Sequence, residues 1–83
     1  MADHPNTFHL VIASVGSTLF DGAAVSVTVP GEAGQFTMLF GHEPIVSTLK
    51  KGNITVKTTA GTETFAIESG LLECSGSRVV VLL

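Results

Sequence analysis

The chain has no tryptophan, no tyrosine, one cysteine and only four basic residues among its 83. Each shortage excludes something. Without Trp or Tyr there is no flat polar-edged ring to stack a sugar on, which argues against a carbohydrate-binding sandwich. A lone cysteine, Cys74, closes no internal disulfide, so a small domain goes without a covalent staple. That favours a reducing compartment and stabilisation by a partner. Four Lys/Arg against seven Asp/Glu leave a net charge of −3, so the chain lacks the basic face that a nucleic-acid partner requires. The longest apolar run is Val79–Leu83, far below the ~20 residues of a membrane-crossing helix, and no membrane insertion is expected. Residues 1–7, MADHPNT, carry neither a basic segment nor an apolar stretch of the targeting kind and read as a flexible N-terminus. His4 falls within it.

What is abundant is β-forming. Val, Ile and Thr supply 24 of the 83 residues, and no stretch holds a 3.6-residue period over three turns. Apolar residues make up 45% and charged ones 13%, a composition that buries a core rather than staying disordered. The expected strands are Phe8–Ala13, with Phe8, Leu10 and Ile12 on one face and His9 on the other; Ser17–Phe20, closed by Asp21-Gly22; and Ala24–Val29, broken by Pro30-Gly31. Ile45–Leu49 is next. Two hairpins then follow, Asn53–Thr59 with Glu63–Ile67 around Ala60-Gly61, and Leu71–Cys74 with Arg78–Leu82 around Ser75-Gly76-Ser77. Many short strands with frequent turn signals specify an all-β fold, a two-sheet β-sandwich or flattened barrel of eight to ten short strands over residues 8–83.

Chemistry is sparse. His4, His9 and His42 are dispersed and Cys74 has no cysteine partner, so no metal ligand set forms in the sequence, and Cys74 reads as a small core residue. Ser47-Thr48-Leu49-Lys50 spells the S-x-x-K of serine acyltransferases, but that chemistry places its serine at the start of a helix, and this segment reads as a strand. Asn53-Ile54-Thr55 is a glycosylation sequon by spelling only. No phosphate-binding glycine pattern occurs, and Glu63, Glu68 and Glu73 sit where solvated charges are the rule. No catalytic residue, cofactor or metal is expected.

The segment from Gly31 to Gly52 departs from simple sandwich patterning. Phe36, Met38, Leu39 and Phe40 crowd five positions of a stretch that reads as irregular through Pro44. Either it tucks as a crossover across the open end of the sandwich, or part of Phe36, Leu39 and Phe40 remains exposed for a partner. His42-Glu43-Pro44 is then either a simple turn or part of that surface.

Three stretches carry a resemblance to a known family: the opening strand followed by Leu19-Phe20-Asp21-Gly22, the loop Gly34…Gly41-His42-Glu43-Pro44, and Gly70-Leu71-Leu72-Glu73. In this order and spacing the chain from Phe8 to Leu83 resembles the N-terminal β-sandwich of the epsilon subunit of F-type ATP synthases. Thr37 stands where the family often has glycine, and Phe40 where it often has proline. The resemblance implies a non-catalytic rotor subunit of the central stalk that joins the gamma subunit to the c-ring and couples ion flow to ATP synthesis. It implies a peripheral location on the cytoplasmic face of the cell inner membrane. It also implies that Gln35, Phe36, Leu39, Phe40, Gly41, His42 and Glu43 meet the c-ring or the nearby gamma foot, and that Ser14 and Ser47 lie against gamma. Most family members continue into a C-terminal helical hairpin that carries inhibition of hydrolysis and a nucleotide-binding motif. This sequence stops at Leu83, so ATP binding and inhibition are not expected of it. The competing reading is a free-standing β-sandwich that binds a ligand.

Overall fold

The computed structural model of the protein describes residues 6–83, so His4 and most of the N-terminal segment lie outside the described residues. Among the described residues nine strands follow one another: β1 Phe8–Ser14, β2 Ser17–Ala24, β3 Ser26–Gly31, β4 Gly34–Leu39, β5 Ile45–Leu49, β6 Gly52–Thr58, β7 Gly61–Ile67, β8 Gly70–Ser75 and β9 Arg78–Leu82. The two-residue alternation of the sequence is the reason. Phe8, Leu10 and Ile12 point inward from β1, Val27 and Val29 from β3, Ile54 and Val56 from β6, Leu72 and Cys74 from β8, and Val79 and Val81 from β9. Leu10, Ile12, Ile54 and Leu72 are fully buried, and each contributes roughly 1.5–3 kcal/mol by leaving water.

The strands form one hydrogen-bonded strip in the order β2-β1-β9-β8-β5-β3-β6-β7, with β4 attached to the other side of β3. The strip has two leaves, β2-β1-β9-β8-β5 and β4-β3-β6-β7, joined at a corner where Gly31 pairs with Leu49. Three backbone features make that corner. Glu32 N–H donates to the Thr48 carbonyl (3.0 Å), Lys50 N–H donates to the Pro30 carbonyl (2.9 Å), and the chain passes from β5 to β6 through Lys50-Lys51. The strip thus curls into a half-barrel whose leaves face each other over the core, the sandwich architecture expected. On the far side of the half-barrel Phe20 of β2 and Phe65 of β7 meet edge to face, ring centroids 6.3 Å apart, and bring those two edge strands together.

Local readings shift in four places. β2 runs through Asp21-Gly22, because these residues pair with Val11 and Leu10 of β1 and a partner strand outweighs their turn preference. β3 starts after a bend at Val25 and continues through Pro30 to Gly31. Pro30 fits because the register with β4 turns its nitrogen away from that strand, and its carbonyl serves Lys50 instead. The stretch read as irregular contains β4, a true strand, hairpinned to β3 through the two-residue turn Glu32-Ala33. The β6–β7 hairpin, expected around Ala60-Gly61, turns at Thr59-Ala60, one residue earlier than its spelling suggests.

Close approach at the corner depends on Gly31. A Cβ there would sit 2.7 Å from the Gly34 carbonyl oxygen and 2.8 Å from the Phe36 ring. Gly31→Ala is expected to lower unfolding free energy by about 1–3 kcal/mol through overpacking, read as a lower urea midpoint with an unchanged slope.

Candidate interaction surface

The β4–β5 connection is short and sharply turned. His42 N–H donates to the Leu39 carbonyl at 3.2 Å, closing a four-residue turn in which Gly41 holds a φ of +81°. Gly41 is the third residue of that turn, where a left-handed backbone selects glycine. Phe40 occupies the position before it and is half exposed, and Leu39 is 56% exposed at the end of β4. On β4, Phe36 and Met38 face the core while Gln35, Thr37 and Leu39 face out. The crowded apolar residues therefore divide between two surfaces rather than competing for one. His42 Nδ1 lies 3.2 Å from the Glu43 carbonyl, and Glu43 and Pro44 are exposed.

The sequence-derived site residues do not converge on one spot. The register places Ser14, at the β1–β2 hairpin, and Gln35, at the start of β4, at the corner end of the half-barrel. Phe40, Gly41, His42 and Glu43 lie at the opposite end, a strand length of roughly 20 Å away. Ser47 and Phe36 lie between them, half-buried, on β5 and β4, the two strands that flank the unjoined side of the half-barrel. Val46 of β5, Leu71 of β8 and Leu82 of β9 were not singled out in the sequence. They lie on the outer face of their leaf and are exposed, and the signal for them was alternation itself: on this leaf apolar residues occupy outward positions as well as inward ones, interspersed with polar groups such as Glu73. The outer face of the other leaf is the reverse. There Thr37, Thr28, Thr55 and Thr64 form one row across four strands, with Thr28 and Thr37 hydroxyls 2.8 Å apart.

Among the described residues no three His, Cys, Asp or Glu side chains gather as a metal set, and no pocket is present. His9 Nε2 lies 2.6 Å from Asp21 Oδ1 on the outer face, an exposed cross-strand pair of the kind that contributes little. Ser47 Oγ donates weakly to the neighbouring Thr48 carbonyl at 3.3 Å, with no base in reach, so the S-x-x-K spelling is incidental. Burial pushes the Cys74 thiol above its ordinary range, which keeps it protonated and unreactive at neutral pH.

The all-β half-barrel carries apolar groups on its β4–β5 connection and on the outer face of one leaf. Residues 7–83 match the family described as the ATP synthase delta/epsilon chain, β-sandwich domain. The chain belongs to that family. It is 38% identical over 82 residues to the ATP synthase epsilon chain of Rhodobacter capsulatus, covering 99% of this chain and 60% of that one. It is 34% identical over 83 residues to the epsilon chain of Chlorobium limicola, covering 99% of this chain and 94% of that one. The chain thus spans about 60% of the Rhodobacter relative and nearly all of the Chlorobium one. Among solved structures, a chain of the Euglena gracilis mitochondrial ATP synthase superposes with a TM-score of 0.86 at 19% identity, over 98% of this chain and 52% of that one. One from the central stalk and c-ring of the Tetrahymena thermophila mitochondrial enzyme gives 0.74 at 10% identity, over 89% and 60%. At these identities the two structures share the fold.

Cys74 offers a direct check on the core. Thiol labelling at pH 8 is expected to be negligible in the native protein and complete once it is unfolded in denaturant. Rapid native labelling would place Cys74 outside the core.

Proposed function

We propose that this chain is a non-catalytic rotor subunit of the central stalk of an ion-translocating ATP synthase, joining the gamma subunit to the c-ring and supporting the coupling of ion flow to ATP synthesis. Its site is the cytoplasmic face of the cell inner membrane, held there by partners; among the described residues no helix is long and apolar enough to cross a membrane. Family membership supplies the complex. The observation that carries the role is the exposed apolar pair Leu39 and Phe40 on a tightly closed connection at one end of a rigid module.

Physics favours a link over a catalyst. A part that passes torque between two bodies must hold its shape and its contacts under load, and antiparallel strands cross-linked by hydrogen bonds with short connections suit that task. The candidate contacts lie at opposite ends of the module, which suits a piece held between two bodies. In this reading Gln35, Phe36, Leu39, Phe40, Gly41, His42 and Glu43 meet the c-ring or the gamma foot, and Ser14 and Ser47 lie against gamma. The outer face with Val46, Leu71 and Leu82 offers a further apolar surface for burial in the assembly. A free-standing ligand-binding sandwich would need a concave site, and the described residues form no pocket.

The test is reconstitution in membranes whose ATP synthase lacks this subunit. The wild-type chain should restore ATP-driven ion pumping and ATP synthesis. A Phe40→Ser, Glu43→Lys double variant should keep its melting temperature to within a few degrees yet restore little coupling, because exposed apolar groups cost little to remove from a monomer and much from an interface. Full coupling by the double variant would remove this connection from the interface.

A further inference from the structure

A sheet edge presents unpaired N–H and C=O groups, and folded proteins guard such edges with charges, bulges or cover. Three edge strands end this strip, and they are guarded unequally. β2 carries Asp21 and a register irregularity opposite Ile12/Ala13. β7 carries Glu63, which alternates with Phe65 and Ile67 and so lies on the core-facing side of the strand. The Phe20–Phe65 contact also brings β2 and β7 against one another. β4 has none of these devices. From Ala33 to Gly41 there is no charged residue and no proline, and among the described residues β4 pairs with no strand except β3.

The register states which groups that edge offers. The two-residue turn Glu32-Ala33 makes Gly31 and Gly34 a hydrogen-bonded pair, so the bonded pairs recur at Val29–Phe36 and Val27–Met38. Gln35, Thr37 and Leu39 then turn their main-chain groups outward. Pro30, opposite Gln35, agrees with this phase: it has no N–H, and its carbonyl faces Lys50 on the other side of β3. The Leu39 carbonyl is taken by His42, which leaves five open groups along about 20 Å of strand. β5, across the unjoined side, offers fewer, since Thr48 gives its carbonyl to Glu32 and Pro44 has no N–H.

We propose that β4 takes up, along this edge, an extended strand of the gamma subunit, extending the β4-β3-β6-β7 leaf and filling the unjoined side of the half-barrel between β4 and β5. The inference rests on the function proposed above. Area selects the occupant: a six-residue edge about 10 Å thick buries on the order of 200 Å² per partner, far short of the ~800 Å² that holds two proteins together. Edge pairing by itself would not sustain a dimer of this chain, whereas a strand belonging to a subunit already held by other contacts adds to an existing interface. Its main chain supplies the bonding, and small or apolar side chains on alternate positions would pack beside Phe36, which is half-buried here.

Amide hydrogen exchange of the 83-residue chain, free and bound to a cognate α3β3γ assembly, separates the possibilities. Binding with at least about tenfold slower exchange at Gln35, Thr37 and Leu39 is the expected result. Thr37→Pro removes one outward N–H without touching the β3 ladder and should weaken binding by about tenfold or more at unchanged melting temperature. Thr37→Val, which loses the same hydroxyl but keeps the N–H, should bind within about twofold of wild type. Should Thr37→Pro fail to fold, the wild-type exchange pattern decides. Tight binding with those three amides unprotected, or with protection at Val46 and Thr48 instead, overturns strand addition to β4 and leaves the stalk function standing. Protection of the β4 edge in the chain alone, rising with its concentration, assigns the edge to a second copy and also overturns the proposal. Absence of any binding by the wild-type chain overturns both.

Discussion

The backbone bridge between Gly31 and Leu49 is where a strip of nine strands turns back on itself, and most of the architecture depends on that turn. Two backbone hydrogen bonds flank it, from Glu32 to Thr48 and from Lys50 to Pro30. Without it the two leaves would each be a sheet with one naked apolar face, a state that small sheets do not sustain in water. With it, the inward residues of β1, β8 and β9 meet those of β3 and β6. The bridge needs a residue with no side chain, since the space a Cβ would take at Gly31 is already filled by the Gly34 carbonyl and the Phe36 ring. A 83-residue chain with no disulfide has little stability to spare, so one tightly packed corner carries disproportionate weight.

The same turn decides what is left for partners. Closing the half-barrel on the Phe20–Phe65 side leaves β4 and β5 as the strands of the unjoined side. Around that side lie the features that look unfinished in a monomer: exposed Leu39 and Phe40, half-buried Phe36 and Ser47, and an uncharged strand edge. The outer faces diverge as well. One leaf shows a row of threonines, at ease in water, and the other shows Val46, Leu71 and Leu82. This asymmetry suits the proposed role, with one side wetted and another covered by partners.

The linking role proposed above accounts for the poverty of reactive groups. Nothing in such a role asks for a perturbed carboxylate, a nucleophile or a metal set; it asks for a rigid frame and complementary surfaces. The buried thiol of Cys74 and the exposed His9–Asp21 pair then read as packing and solvation, respectively, and not as remnants of catalysis.

Much of this was legible in the amino-acid order. Alternation of Phe8, Leu10 and Ile12, and of Val27 and Val29, reports a buried face at every second residue, because the pleat repeats every two, and that suffices for an all-β sandwich. The motifs around Asp21-Gly22, Gly41–Pro44 and Gly70–Glu73 point to the family. Strand ends were less legible, since Asp21-Gly22 and Pro30-Gly31 spell turns and their fate was settled by the strands beside them. β4 was hidden for a similar reason: Phe36, Met38, Leu39 and Phe40 read as a crowd until pairing with β3 assigns inward and outward sides. Nor could the order of residues show that Gln35 and His42, seven apart, lie at opposite ends of the module, or that β4 is the edge without a guard. Those facts depend on which strand lies next to which, and while hairpin neighbours follow from local turns, the pairings of β1 with β9, β5 with β8 and β3 with β6 join strands far apart in the chain and are decided by tertiary packing.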